Sequence, residues 1–305
     1  MYAAPPLIDT RVFARVPDHL RIRGRQSRWL DIQFHGRNTG CFLEGPSFDR
    51  AGNLYVVDIP WGRIFRISPQ GEFSLVAEYE GEPNGLKIHK DGRIFIADHA
   101  LGLLTLNSDT GVVQPFLQRG NSEGFRGLND LVFASNGDLY FTDQGHSGLE
   151  DPGGRVFRLR ADGVLECLLK RVPSPNGLVL SCDEKLLFVN VTSANAVWRL
   201  PLPKTGEAKK VAVFIYLSGG LGGPDGLAID EEGGLAVVHA GMGAVWLHNR
   251  LGESVFRVNS CAGLRTTNLA YGGADRKSLY ITESETGVIL KARVPVAGNV
   301  MYSHM

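Results

Sequence analysis

The sequence predicts an all-β protein: a six-bladed β-propeller with four antiparallel strands in each blade. The first observation is a phrase that occurs six times, starting at positions 44, 84, 129, 176, 225 and 268. The starts are 40, 45, 47, 49 and 43 residues apart, which is the length of a propeller blade. The second observation is the scarcity of helix-period segments, which disfavours alternating strands and helices. We therefore expect one propeller domain over residues 1–305.

Each copy of the phrase has the same internal order. A turn position stands eight residues after the start, and a polar residue stands fourteen after it, at the end of a β-rich run. Glycine occupies the turn position in four copies, as a tight hairpin with positive φ favours. The turn positions are Gly52, Gly92, Gly137, Glu184, Gly233 and Arg276, and the polar positions are Asp58, Asp98, Asp143, Asn190, His239 and Thr282.

The segments between these hairpins are typical of outer strands. Residues 62–67 and 154–159 alternate apolar and charged side chains, as a half-exposed third strand does, and residues 73–76 and 165–169 fit a fourth. Residues 1–43 precede the first repeat, and we expect this extension to help close the ring by placing residues 6–16 against the last blade. Six sandwich-like hairpins are the structural alternative, but near-equal repeats of this length typify rings and solenoids.

The composition is that of an ordinary globular protein, with 43% hydrophobic and 21% charged residues. The chain has 32 basic and 32 acidic side chains, so bulk charge predicts no nucleic-acid or membrane partner. One local exception is a group of four arginines, which we interpret as a solvated basic surface strand: Arg21, Arg23, Arg25 and Arg28.

The cysteines and the N-terminus predict a cytoplasmic location. No CxxC pair or zinc-ligand spacing occurs among Cys41, Cys167, Cys182 and Cys261, which fit small hydrophobes in a reducing compartment. The first residues, 1–6, lack the basic and apolar regions of a signal peptide, and no apolar run is long enough for a membrane span. The oligomeric state stays open.

In a propeller, the innermost strands line a central tunnel, and the residue just before each of these strands lies at one mouth, so equivalent residues of the six blades meet around one axis. The first residue of every phrase carries an oxygen acceptor: Glu44, Asn84, Asn129, Asn176, Asp225 and Asn268. The preference of turns for Asn and Asp explains one such position more easily than all six. Two carboxylates and four amides form a ring of hard oxygen ligands that suits Ca²⁺, Mg²⁺ or Mn²⁺. Such an ion also removes the repulsion between the carboxylates.

Four motifs, in order and each at the head of a blade, resemble one known family. They are Glu44-Gly45-Pro46, Leu128-Asn129-Asp130-Leu131 with Tyr140-Phe141-Thr142-Asp143, Ser174-Pro175-Asn176-Gly177-Leu178 and Pro224-Asp225-Gly226-Leu227. Over about residues 40–290 the chain resembles the senescence-marker-protein (regucalcin), gluconolactonase and luciferin-regenerating-enzyme family. The squid-type diisopropylfluorophosphatase is a more distant fold relative. The resemblance implies a metal-dependent hydrolase that opens lactones.

The resemblance also implies roles for particular residues. Glu44, Asn176 and Asp225 look like the family's metal ligands, and Asp225 resembles its catalytic base. Asn129 looks like the further asparagine that completes the site or holds substrate. The implied cofactor is one divalent cation, with Ca²⁺ as the first choice and Mg²⁺, Mn²⁺, Zn²⁺ or Fe²⁺ as alternatives. The chain has Gly127 where the animal lactonases carry an arginine, with Arg126 one place further away, which weakens the case for sugar-acid lactones.

We expect the cation to polarise the carbonyl of a small lactone or ester. Asp225 then either takes a proton from the attacking water or attacks directly as a nucleophile. The predicted substrate-binding residues are Asn84, Asn129, Asn268, His99 and His146, although these histidines could instead cap strands or face solvent. Two further hypotheses remain: an organophosphate or ester hydrolase on the same site, and a non-catalytic propeller that binds calcium or a partner.

Overall fold

Six four-stranded antiparallel sheets make up the protein in a computed structural model, which describes residues 4–120 and 123–305. The innermost strand of each sheet contacts the innermost strands of both neighbours, so the sheets close into a ring. This arrangement confirms the predicted six-bladed propeller. The signal-peptide expectation for residues 1–6 falls partly outside the described residues.

The blades are numbered I to VI along the chain, and their strands run from the axis outwards. Blades I to III contain Leu43–Phe48, Leu54–Asp58, Arg63–Ile67 and Phe73–Glu78; Pro83–Ile88, Ile94–Asp98, Gly102–Leu106 and Val113–Leu117; and Leu128–Phe133, Leu139–Asp143, Gly154–Leu159 and Leu165–Val172. Blades IV to VI contain Pro175–Leu180, Leu186–Val191, Ala196–Pro201 and Ala212–Tyr216; Pro224–Ile229, Leu235–His239, Ala244–His248 and Ser254–Asn259; and Thr266–Gly272, Ser278–Glu283, Val288–Arg293 and Arg11–Arg15.

The start of the chain joins the last two blades. Arg11–Arg15 pairs antiparallel with Val288–Arg293 and is the outermost strand of blade VI. Leu7–Asp9 pairs in parallel with Ser254–Asn259 and adds a fifth strand to blade V. Both strands cover sheet edges that would otherwise be free to pair with other chains.

The predicted turn positions all have positive φ. The angle lies between 83° and 91° at Gly52, Gly92, Gly137 and Gly233, as expected for hairpin glycines. Glu184 and Arg276 adopt the same left-handed conformation, with φ of 53° in both. The Glu184 carboxylate accepts hydrogen bonds from the backbone and the hydroxyl of Ser135 in blade III, and these bonds favour a conformation that is unusual for a non-glycine residue.

The polar residue at the end of the second strand stabilises the loop above it. In blade I, Asp58 accepts a hydrogen bond from the Phe42 amide and pairs with Arg63. In blade III, Asp143 accepts from the Gly127 amide and pairs with Arg155. These carboxylates are fully buried, and each has the hydrogen-bond partners that burial of a charge requires.

The hydrophobic core lies between neighbouring blades, where the faces of two sheets pack together. Val57 and Ile64 of blade I, for example, belong to one cluster with Leu86 and Ile96 of blade II. Side chains alternate between the two faces of each strand, so each sheet packs one face against the preceding blade and the other against the next. All four cysteines have free thiols.

A short α-helix, Arg28–Phe34, packs beside the starts of the innermost strands of blades I to III, and we call it the mouth helix. Its Trp29 packs on Phe42, with ring centroids 4.7 Å apart. The remaining short elements are the 3₁₀ helices Asp18–Leu20, Ile59–Trp61, Thr192–Ala194 and Tyr302–His304 and the paired segments Arg119–Gly120 and Glu123–Gly124. Within residues 4–120 and 123–305, no helix is long and apolar enough to cross a membrane.

Candidate active site

Six bulges place the predicted axial residues. The sequence located these residues just before the innermost strands, and that detail is wrong, because each lies within its strand. In every blade the pairing register between the first two strands shifts at this residue. A bulge turns one side chain out of the regular alternation and is common beside active sites. We call the six residues the axial ring: Glu44, Asn84, Asn129, Asn176, Asp225 and Asn268.

Close backbone contacts join the members of the axial ring in order. In four blades the next residue is a glycine whose missing Cβ would collide with the following blade. In three of these blades the Cβ would meet the backbone oxygen of the next ring residue, at 2.8 Å from Gly45 to Asn84, 2.6 Å from Gly85 to Asn129 and 2.5 Å from Gly177 to Asp225. In the fourth, a Cβ on Gly226 would lie 2.2 Å from the side-chain Oδ1 of Asn268. These glycines let the six innermost strands approach closely enough to form a narrow ring.

A hydrogen bond closes the circle between the last blade and the first. Nδ2 of Asn268 donates to Oε2 of Glu44 over 2.8 Å, and the Gly45 amide donates to the same oxygen over 2.7 Å. Both donors hold the Glu44 carboxylate in place, and its second oxygen, Oε1, has no protein donor among the described residues.

The two carboxylates of the axial ring disfavour each other's ionisation. Burial raises the pKa of Glu44 to about 7. The pKa of Asp225 is raised well above its ordinary value, first by burial and then by the charge of Glu44, while a hydrogen bond from Asn176 opposes the shift. Without a cation, the surroundings therefore favour protonation of the ring carboxylates, and a positive ion bound there would compete with the proton.

Asp225 differs from the other five ring residues in its access to solvent. The other five are at most 8% exposed, whereas Asp225 is partly exposed. Asp225 is therefore the ring residue that is most accessible to water.

A third carboxylate near the ring was missed by the sequence reasoning. Asp130 stands where four other blades have the close-contact glycine, and its side chain lies 3.5 Å from Nζ of Lys87. Its charge contributes to the raised pKa of both Glu44 and Asp225. The break in the repeat at this position was the signal that could have identified it.

The asparagines of the axial ring are held by neighbouring loops. Nδ2 of Asn129 donates to Oε1 of Gln144 over 3.1 Å, and Nδ2 of Asn176 donates to the Thr192 hydroxyl over 3.2 Å. Because the nitrogen of each amide is engaged in these bonds, its oxygen is the atom left for a ligand. Asn84 is also buried, and in the order of the ring it lies between Glu44 of blade I and Asn129 of blade III.

Two of the predicted histidines lie together beside the ring. The rings of His99 and His146 are 5.3 Å apart between centroids, and burial lowers the pKa of His99 to about 4. The third histidine that the sequence singled out, His239, is fully buried and bonded to the Gly219 carbonyl and the Trp246 indole. His239 is therefore a structural residue.

The His99 ring fills the space that a side chain at position 127 would need. A Cβ on Gly127 would lie 2.3 Å from Cε1 of His99, and Gly127 has a φ of 146°. Gly127 stands two residues before Asn129, and Gln144, which holds Asn129, stands two residues before His146. Both histidines are thus fixed close to the third member of the axial ring.

A cavity of about 200 Å³ opens beside the two histidines, and we call it the mouth pocket. The mouth helix, the end of blade II and the start of blade III line it, through Arg28, Trp29, Ile32, Gln33, Glu82, His99, Ala100, Phe125, Arg126 and His146. A larger cavity of about 400 Å³ lies at the opposite end of the tunnel under residues 299–305 and contains none of the axial ring residues.

Among the described residues, no group of three His, Cys, Asp or Glu side chains is placed to hold a metal ion. A cation in the tunnel would therefore need the amide oxygens as well as the carboxylates of the axial ring. Asparagine oxygens and carboxylates together are a donor set that Ca²⁺ accepts.

The protein is thus a six-bladed propeller that gathers acidic and amide side chains at one end of its axis. The sequence profile of the SMP-30/gluconolactonase/LRE-like region matches residues 42–285, and the chain belongs to this family.

Three similar proteins illustrate the relationship. The chain is 31% identical over 241 residues to the lactonase drp35 of Staphylococcus aureus, covering 75% of this chain and 72% of the relative. Its fold matches a calcium-binding protein, regucalcin, from Agrobacterium tumefaciens, with a TM-score of 0.79, 22% identity and coverage of 99% and 100%. It also matches the gluconolactonase XC5397 from Xanthomonas campestris, with a TM-score of 0.73, 19% identity and coverage of 97% and 99%.

Proposed function

We propose that this protein is a hydrolase that opens lactones and uses one divalent cation held by the axial ring. The observation that carries the proposal is the closed circle of bulges, which brings two carboxylates and four amides to one end of the axis. The sequence similarity to the lactonase drp35 supports a lactone as the substrate.

The residues present fit a hard cation. Glu44, Asn176 and Asp225 would hold it, and Asn129 would complete the site or contact the substrate. Two buried carboxylates with raised pKa values are costly to ionise alone, and a doubly charged ion offsets that cost. Ca²⁺ suits this set of oxygen donors best. When bound, the cation would act as a Lewis acid on the substrate carbonyl.

Asp225 is the residue placed to activate the nucleophile. It is the partly exposed carboxylate of the ring, and in the proposed site a water molecule lies against it. In the proposed reaction the carboxylate of Asp225 takes a proton from this water, whose oxygen bonds to the carbonyl carbon as the carbonyl electron pair moves onto the carbonyl oxygen. When the carbonyl re-forms, the ring C–O bond breaks and the leaving alkoxide oxygen takes the proton from Asp225. The second role proposed for Asp225, direct attack as a nucleophile, uses the same position.

The other polar residues at the mouth would orient the substrate. Asn84, Asn129 and Asn268 face the same end of the axis and offer amide groups to the hydroxyl or carbonyl oxygens of a lactone. His99 and His146 line the adjacent mouth pocket and would contact the substituent of the lactone ring. Because burial keeps His99 neutral near pH 7, it would bind by hydrogen bonding.

The proposal predicts that protein stripped of metal with EDTA hydrolyses no lactone and that one equivalent of a divalent cation restores turnover. A panel of lactones of different ring size, assayed with Ca²⁺, Mg²⁺, Mn²⁺, Zn²⁺ and Fe²⁺ in turn, tests this directly. Paraoxon and a fluorophosphate belong in the same panel. Faster turnover of these phosphoryl compounds would replace the lactonase assignment by organophosphate hydrolysis. Absence of turnover with every cation and substrate would leave a binding propeller instead.

A further inference from the structure

Four of the ten residues that line the mouth pocket come from a segment that precedes the family region. The mouth helix, Arg28–Phe34, lies before residue 42, where the match to the family begins. Its Trp29 and Ile32 form one wall, and Phe125 of blade III forms another. This wall is therefore a feature of the chain's own extension. The mouth pocket is linked to the axial ring through His99, which contacts Gly127 two residues before Asn129.

The volume of the mouth pocket limits what it can accept. At about 200 Å³, and with roughly 30 Å³ for each water-sized group, it holds on the order of six or seven non-hydrogen atoms. That is the size of a short substituent on a lactone ring. Extra space is not available at position 127, because the His99 imidazole already fills it.

The charges around the mouth pocket are predominantly positive. Arg28 of the mouth helix and Arg126 before blade III both line it, and Glu82 is its one lining carboxylate. The positive charge of Arg28 acts on two residues of the pocket. It partly offsets the burial that raises the pKa of Glu82, and it adds to the burial that lowers the pKa of His99. A negatively charged group would therefore gain from entering this pocket.

Arg28 is the member of the basic group at residues 21–28 that the fold leaves free. Three of the four arginines have partners: Arg21 donates to the Thr286 carbonyl, Arg23 pairs with Asp18, and Arg25 pairs with Glu78. Arg28 has no hydrogen bond or ion pair within residues 4–120 and 123–305. The interpretation of all four as a solvated surface strand was thus wrong, because residues 21–27 form no strand and Arg28 begins the mouth helix and lines a pocket.

Arg126 is the second guanidinium in reach of the pocket. Its Nη1 donates to the Gly153 carbonyl, which fixes the side chain at the rim and leaves its other N–H groups available. A guanidinium presents parallel donors that match both oxygens of a carboxylate. Two arginines beside the neutral imidazole of His99 form a site for a carboxylate.

We propose that the mouth pocket binds a carboxylate on the substrate, so the preferred substrates are lactones that carry a carboxylate substituent on or next to the ring. Arg28 and Arg126 are the specificity-determining residues, and His99 and Phe125 line the space between them and the axial ring. This inference rests on the proposed lactone hydrolysis. It specifies the charge and the size of the substituent that lies next to the reacting ester of the lactone.

Two matched substrates test the inference: a γ-butyrolactone with a carboxylate on its ring and the same lactone with a carboxamide. The wild-type protein should show a higher kcat/KM for the carboxylate. In the Arg28→Gln and Arg126→Gln variants the ratio of the two kcat/KM values should fall by about tenfold each, because a charged hydrogen bond is lost. Raising the salt concentration should lower the same ratio in the wild type.

Arg23→Gln is the matched control, because Arg23 belongs to the same basic group but pairs with Asp18 on the exposed surface. This variant should keep the wild-type ratio. A wild-type preference for the carboxamide, or an unchanged ratio in both pocket variants, would overturn the inference while leaving lactone hydrolysis intact. Loss of turnover of both lactones by the metal-loaded wild type would instead refute the proposed function.

Discussion

Asp225→Asn is expected to lower lactone turnover by about a thousandfold or more, because an amide cannot accept the proton of the attacking water. The fold should survive, since Asn resembles the protonated carboxyl that the raised pKa of Asp225 favours when no cation is bound. Steady-state kinetics on the lactone that the wild type turns over best, with thermal unfolding measured in parallel, gives both results.

The control for this variant is Asp109→Asn, the same chemical change in an exposed turn of blade II. It should have wild-type activity and stability. Full activity of the Asp225→Asn variant would remove Asp225 from the chemistry. A loss of activity accompanied by unfolding would point to a structural role for this carboxylate instead.

Glu44→Gln is expected to abolish the stabilisation that a divalent cation gives to the wild type. At a free concentration one hundred times Kd, a ligand that binds only the folded state stabilises it by about 2.7 kcal/mol. For a chain of this size that corresponds to a rise in Tm of roughly 5 °C. The variant lacks a charged ligand, so its Tm should not respond to Ca²⁺. Its metal-free Tm should match or exceed that of the wild type, because one buried carboxylate is gone.

Differential scanning calorimetry of chelated protein, with and without Ca²⁺, measures these four Tm values. Glu150→Gln, which removes an exposed carboxylate from a loop, should retain the wild-type response. A normal Ca²⁺-dependent rise in Tm for Glu44→Gln would show that the stabilising ion binds elsewhere.

The fold could be predicted from the sequence because a propeller arranges its repeats in chain order. The six phrase starts and their turn positions define the hairpins, and the order of blades in space follows the order in sequence. Even the conformations of Glu184 and Arg276 fit the repeat, since both share the positive φ of the glycines at the equivalent positions. The ring closure by Arg11–Arg15 agrees with the need to seal an edge, although no repeat marks that strand.

The candidate site could be predicted only in part. The repeat pattern predicted that the axial ring residues lie at one level of the tunnel. The bulge that orients each side chain depends on pairing between strands, which the local sequence does not encode. Asp130 and Lys87 belong to neighbouring blades and meet only where the innermost strands of these blades pack together. The mouth helix lies in a segment without repeats, and its contact with Phe42 depends on tertiary packing.

Anomalous diffraction from a crystal soaked in Mn²⁺ tests the cation site most directly. One strong peak is expected on the axis, within about 2.6 Å of side-chain oxygens of Glu44, Asn176 and Asp225. A metal-loaded, catalytically active crystal with its only peaks away from these three residues would contradict the account.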